Sequence, residues 1–328
     1  MNIKNSWLIS GFANEMIPSS IVLKDEINRL KKEKNAVILA HYYQRDEIQD
    51  IADFIGDSLA LAQQASHLEA DVFVMAGVYF MAETVKILNP DKKVLLPDLK
   101  AGCSLAESCT YDDFKQFVEA HPDHKVITYV NSTALVKTLT DVVVTSSNAR
   151  QIVESFPFDQ KLIFAPDRNL GNYINKVTGR NMLLWNGACH VHEKFSLESL
   201  LQLKNRYPDA PVLAHPECTQ SVLQAADFIG STFAMLQFSK KSNARQFIIA
   251  TESGIIHEMQ KNSPQKQFIP VPSDVAISCG CNECNYMKLN TLEKIYLCLK
   301  YDFPFVEIDE SVQKKVILPI RRMLELSR

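Results

Sequence analysis

Short apolar runs alternate with helically spaced apolar residues along most of the chain. Between Pro18 and Lys34, Ile21, Leu23, Ile27 and Leu30 fall on one helical face behind Ser19 and Ser20. That pattern predicts a helix with a Ser cap. AVILAHYY follows, a continuous apolar run ending in His41. Runs of this kind read as parallel strands buried on both faces. ADFIGDS, a helical stretch from Ser58, DVFVMAG, another helical stretch and KVLLP extend the alternation of helices and strands.

The same order returns twice. The second copy has a helix at 111–121, then HKVITYVN, DVVVTSS, KLIFAPD and NMLLW. The third has a helix at 197–207, then PVLAHPE, ADFIGST, QFIIATE and QFIPV. His41, Tyr129 and His215 end the first strands, 88 and 86 residues apart. An Asp follows each by twelve residues (Asp53, Asp141, Asp227) and a hydroxyl by seventeen (Ser58, Ser146, Thr232). Tyr43, Asn131 and Glu217 lie two residues after each strand end. Three registers held across three copies indicate an internal repeat of about 87 residues.

Helices alternating with short buried strands imply an α/β fold of three homologous three-layer αβα domains with parallel sheets. The expected domains are 18–108, 109–194 and 195–288. A C-terminal segment, 289–328, has no counterpart in the repeat and is expected to pack back on the core. It holds a helix over TLEKIYLCLKY and a last one around 311–327, interrupted at Pro319. Ligand chemistry in such sheets gathers beyond the carboxyl ends of the strands. Three units presenting those ends to a shared centre would form a pseudo-threefold arrangement.

Composition changes this picture little. The 328 residues suggest two domains by length alone, and the repeat raises that to three. With 35 basic and 38 acidic residues the net charge is −3, and no basic block offers a nucleic-acid footprint. No apolar run is long enough to span a membrane. The N-terminal segment, broken by Asn14 and Glu15, is a poor signal peptide. The expectation is a cytoplasmic protein with reduced thiols.

Cysteine alters the picture more. Each copy ends its fourth strand in a cysteine-bearing loop: Cys103, Cys189, and SCGCNEC with Cys279, Cys281 and Cys284. One cysteine per copy would hold three irons of a [4Fe–4S] cluster and leave the fourth open. The CGCNEC loop alone also admits zinc or a Cys281–Cys284 redox pair, although the nearest His, His257, gives no finger spacing. Cys109, Cys218 and Cys298 have no equivalents and read as structural. Ser58, Ser146 and Thr232, between strand and helix, read as N-caps, a geometry that also binds anions. His41 and His215 suit proton transfer or anion binding, and Glu217 is the best general-base candidate. Tyr43, Tyr129 and Asn131 are candidate polar contacts. Asp53, Asp141 and Asp227, at the opposite strand ends, read as structural.

These residues lie within motifs that resemble the quinolinate synthase A family of bacterial NAD biosynthesis nearly end to end. They are AHYYQ at 40–44, GDS at 56–58, AGCSLAE at 101–107, YVNS at 129–132, TSSNA at 145–149 and GACHVHEKF at 187–195, followed by HPEC at 215–218, GST at 230–232, ATESGIIH at 250–257 and CNYMKLNTLEK at 284–294. The family more often has Pro where Asn285 stands. The resemblance implies a pseudo-threefold αβα enzyme around a central [4Fe–4S] cluster with ligands Cys103, Cys189 and Cys284. It implies condensation of iminoaspartate with dihydroxyacetone phosphate to quinolinate, with loss of phosphate and water. An L-aspartate oxidase would be the source of iminoaspartate. His41, Tyr43, Ser58, Tyr129, Asn131, Ser146, His215, Glu217, Ser231 and Thr232 fall on its substrate-contacting positions, with Glu217, His41, Tyr43 and His215 as catalytic candidates. Two rivals remain: another open-iron hydro-lyase acting on a dicarboxylate, and a non-catalytic iron–sulfur or zinc sensor. A sensor would need a partner-binding or DNA-binding segment, and none is visible.

Overall fold

Among the described residues, every sheet is four-stranded and parallel. The first contains β1 (Ala36–His41), β2 (Phe54–Gly56), β3 (Val72–Ala76) and β4 (Lys93–Leu95), in the order β2-β1-β3-β4. The second contains β5 (Lys125–Tyr129), β6 (Val142–Val144), β7 (Leu162–Ala165) and β8 (Leu183–Leu184), ordered β6-β5-β7-β8. The third contains β9 (Val212–Ala214), β10 (Phe228–Ile229), β11 (Gln246–Ala250) and β12 (Gln267–Pro270), ordered β10-β9-β11-β12. All are parallel. This computed structural model describes residues 3–272 and 282–327. Cys279 and Cys281 lie outside the described residues.

The fold class matches the alternation. β3 and β7 are buried at every position, as strands covered by helices on both faces must be. In each sheet the chain moves from the first strand to one side, then crosses to the other. The switch point therefore falls between the first and third strands, where ligand crevices form beyond the carboxyl ends.

The repeat is visible at atomic scale. The carboxylates of Asp53, Asp141 and Asp227 accept the backbone N–H of Ile38, Val126 and Val212, each at 2.8 Å. Their own amides return bonds of 3.0, 2.9 and 3.0 Å to the carbonyls of the same three residues. A lysine pairs with each Asp: Lys31, Lys125 and Lys204. These aspartates latch the entry of the second strand onto the first, the structural role expected of them.

The chain divides into two compact units. One extends to Cys103 and takes in Asn285–Ile317; the other comprises Ser104–Cys284 and the residues from Leu318. The first unit holds the first sheet. Its core joins Ile27, Leu30, Ile38 and Val74 to Ile295, Leu297, Cys298 and Leu299 of the helix Leu292–Tyr301. The second unit holds the other two sheets.

Two expectations are corrected. The helix Leu23–Glu33 begins after Val22 and has no Ser cap. Pro18 and Ile21 close a turn of their own, with Ile21 N to Pro18 O at 3.0 Å, and this delays the helix start past the serines. The last helix, Glu310–Leu326, runs uninterrupted through Pro319. Val316, Ile320 and Met323 form one fully buried stripe across the proline. That packing offsets the backbone bond Pro cannot make.

Candidate active site

The strand-end histidines of the first and third copies share one local geometry. His41 Nδ1 accepts the Tyr43 amide at 3.1 Å, and His215 Nδ1 accepts the Glu217 amide at 3.3 Å. Accepting at Nδ1 leaves the ring proton on Nε2. Both histidines are buried. In the first unit, His41 meets the half-buried Tyr43 edge-on, with ring centroids 4.5 Å apart. In the second unit, His215 Nε2 lies 3.3 Å from Ser146 Oγ.

Glu217 is the node of the second unit. Its Oε2 lies 2.8 Å from His192 Nδ1 and 3.6 Å from His215 Nδ1. The two imidazoles stack at 4.7 Å. His192 Nε2 meets Thr251 Oγ1 at 2.9 Å, and Asn169 Nδ2 donates to the Glu217 carbonyl at 3.1 Å. Burial alone pushes the Glu217 carboxyl up, but the neighbouring imidazoles of His215 and His192 and the Tyr129 phenol outweigh it and hold the group below the usual range. Its Oε1 has no hydrogen-bond partner among the described residues. An ionised carboxylate with one unused oxygen in a buried site has the chemistry of a base.

A second carboxyl faces it with the opposite tendency. Asp167 is fully buried and caps the helix Arg168–Thr178 through the Leu170 amide at 2.9 Å. Burial, then the Glu217 charge, pushes its carboxyl well above the usual range. The amides of Leu170, Asn169 and Cys189 act in the other direction, yet Oδ2 makes no hydrogen bond of normal geometry. Two carboxyls pushed apart in this way divide their roles, one ionised and one holding a proton.

The helix starts differ from expectation. The N-caps are Asp57, Asn148 and Ser231, and Asp57 and Ser231 accept from Ala60 and Ala234 N. Ser58 and Thr232 are the first helical residues, whereas Ser146 lies in the turn before its helix. A cap must carry extended backbone just outside the helix, and the preceding residue holds that position in the first and third copies. Ser147 Oγ donates to Ser231 Oγ at 2.7 Å, which ties the second copy to the third. Tyr129 is buried and Asn131 half-buried at the end of β5. Their loop is held by the buried Lys137, whose Nζ donates to the Val130 carbonyl at 2.9 Å and to that of Ser132.

The six described cysteines fall into two groups. Cys109, Cys218 and Cys298 are buried. Burial pushes their thiols up, that of Cys109 to about 12 and the other two well above the usual value. Such thiols favour the protonated form of a structural cysteine. Cys103, Cys189 and Cys284 are half-buried and follow the fourth strands. Cys189 and Cys284 rest on the same apolar cluster of the third sheet. Cys103 belongs to the other unit. The donor chemistry of this group fits an iron–sulfur cluster.

Cys189, His192 and Glu217 also bring their ligand atoms within 4.8 Å of one another. His192 Nδ1 and Glu217 Oε2 within this group are 2.8 Å apart. His192 and Asp167 escaped the sequence reading. A His three residues after Cys189, and an acidic residue two beyond the third strand of both the second and third copies, were the available signals.

The chain is similar over residues 25–325 to the family described as Quinolinate synthetase A protein, NadA. It is 58% identical to "Quinolinate synthase" of Chloroherpeton thalassium over 310 residues, which cover 94% of this chain and 96% of the relative. It is 58% identical to that of Microcystis aeruginosa over 301 residues, 92% and 94% of the two chains. The protein of that name from Synechocystis sp. is 57% identical over 313 residues, 95% and 97% of the two chains.

Proposed function

The chain belongs to the Quinolinate synthetase A family and is an enzyme, and on that premise we propose that it condenses iminoaspartate with dihydroxyacetone phosphate to quinolinate, releasing phosphate and water. The reading places the chain in the cytoplasm, in de novo NAD biosynthesis, with iminoaspartate supplied by an L-aspartate oxidase. The observation that carries it is the buried Glu217–His192–His215 node at the carboxyl ends of two parallel sheets, beside Cys189.

Cys103, Cys189 and Cys284 are the proposed ligands of a [4Fe–4S] cluster. When bound with one iron free of protein ligand, the cluster supplies a Lewis acid for substrate hydroxyl or carboxylate. The rest of the chemistry falls to side chains. Glu217, held ionised by its two imidazoles, takes a proton from C3 of iminoaspartate through Oε1 and so releases the carbon nucleophile. His215 and His41 present Nε2–H to anionic oxygens, and Tyr43 moves protons in the first unit. The start of the helix Thr232–Lys241, with Ser231 and Thr232 buried there, binds a carboxylate through backbone N–H groups. Ser58 plays that part at the helix Ser58–Ala65. Tyr129, Asn131 and Ser146 complete the polar contacts. Burial of Glu217, His215, Ser231 and Thr232 keeps water from the reactive intermediates.

The test is anaerobic purification, iron and sulfide analysis, and incubation with iminoaspartate and dihydroxyacetone phosphate. Quinolinate formed by a [4Fe–4S] protein is the expected result. A colourless zinc protein, or a [4Fe–4S] protein making no quinolinate, overturns the reading.

A further inference from the structure

Two buried acidic residues occupy equivalent places in the fold. Asp167 stands two residues beyond β7, the third strand of its sheet, and Glu252 stands two residues beyond β11, the third strand of the next. Both are fully buried. Each serves the cysteine loop that follows the fourth strand of its own sheet. Glu252 Oε1 accepts the Cys284 amide at 3.1 Å, while its Oε2 accepts the Gly254 amide at 2.7 Å. A parallel bridge between Asp167 and Gly187 brings in the Cys189 loop, with Arg168 N to Gly187 O at 2.8 Å. Gly187 cannot be enlarged, because a Cβ there would lie 2.5 Å from the Pro166 carbonyl. In the first copy the matching position beyond β3 is Val78, which offers no acceptor.

Resting on the cluster reading above, we infer that Glu252 is a positioning residue that holds the Cys284 backbone and commits its amide to carboxylate rather than to cluster sulfur, with Asp167 at the matching place beside the Gly187 bridge of the Cys189 loop. The physical consequence is directional. Backbone N–H groups aimed at cluster sulfur, and a less negative surrounding, both favour the reduced cluster. Glu252 removes one such donor and adds negative charge, so it holds the reduction potential down. The third loop, that of Cys103, has no counterpart and serves as an internal control.

The test uses the full chain with two readouts. In the cluster-loaded protein, Glu252→Gln is expected to shift the reduction potential upward at unchanged iron content. In the cluster-free protein, Glu252→Ala, which removes the acceptor, is expected to speed hydrogen exchange at the Cys284 amide roughly tenfold, the equivalent of one lost hydrogen bond, while the Cys103 loop is unaffected. Glu252→Gln, which keeps an acceptor oxygen, should leave exchange at the Cys284 amide slow. An unmoved potential with unchanged exchange at Cys284 overturns the inference, as does equal acceleration at Cys103. A wild-type protein without a cluster refutes the functional reading instead, and the exchange measurements alone then decide this one. If Glu252→Ala fails to fold, the reduction potential of Glu252→Gln decides.

Discussion

Glu217 and Asp167 are both buried acids, and their surroundings give them opposite jobs. Two imidazoles face Glu217, whereas Asp167 has backbone amides and a neighbouring negative charge. Glu217→Gln keeps the shape of the node and removes the base. Turnover should fall by roughly 10²–10⁴-fold with iron content unchanged, as read by steady-state kinetics and iron analysis; unimpaired turnover would remove Glu217 from the mechanism. Asp167 gives a pH prediction. Its folded-state value is raised, so its contribution to stability is fully present below about pH 4, where an unfolded Asp titrates, and is lost as pH rises toward the folded value. Asp167→Asn removes that loss. The variant's melting temperature should exceed that of wild type at pH 7, and the gap should close toward pH 4; a gap independent of pH would contradict it. Glu217 was legible in the sequence because HPE ends a strand at a repeated register. Asp167 was not, because nothing local distinguishes a buried Asp cap from an exposed one.

At the scale of elements, the alternation of apolar runs and helical spacing was enough to place the twelve strands, since strands buried on both faces must be apolar throughout. Helix starts were less legible. Ser58 and Thr232 carry the repeated register, but the caps are Asp57 and Ser231, one residue earlier, because side-chain type alone does not fix where the backbone turns helical. The aspartate latches were read correctly as structural, though their partners emerged only in three dimensions. Each latch joins the same two strands in its copy, so Asp53→Ala, Asp141→Ala and Asp227→Ala should each destabilise the protein by about 1–2 kcal/mol. Chemical denaturation of the three variants checks this. One latch costing nothing while the others cost that much would break the equivalence of the copies.

The whole molecule follows from the repeat. Three sheets of one strand order present their switch points with the candidate chemistry at their carboxyl ends, and the spacing of His41, Tyr129 and His215 already indicated as much. The cysteines required both levels. Within CGCNEC the sequence alone does not separate a self-contained metal loop from a contributor of one thiolate, since spacing carries no burial. Burial separates Cys103, Cys189 and Cys284 from Cys109, Cys218 and Cys298, while Cys279 and Cys281 lie outside the described residues. The central claim is that each copy gives one thiolate to one cluster. Iron and sulfide content of anaerobically purified serine variants measures it most directly. Cys103→Ser, Cys189→Ser and Cys284→Ser should each lose the [4Fe–4S] cluster while Cys279→Ser keeps it; a cluster retained in Cys103→Ser or Cys189→Ser would contradict the claim, and one retained in Cys284→Ser alone would move the third ligand to Cys279 or Cys281.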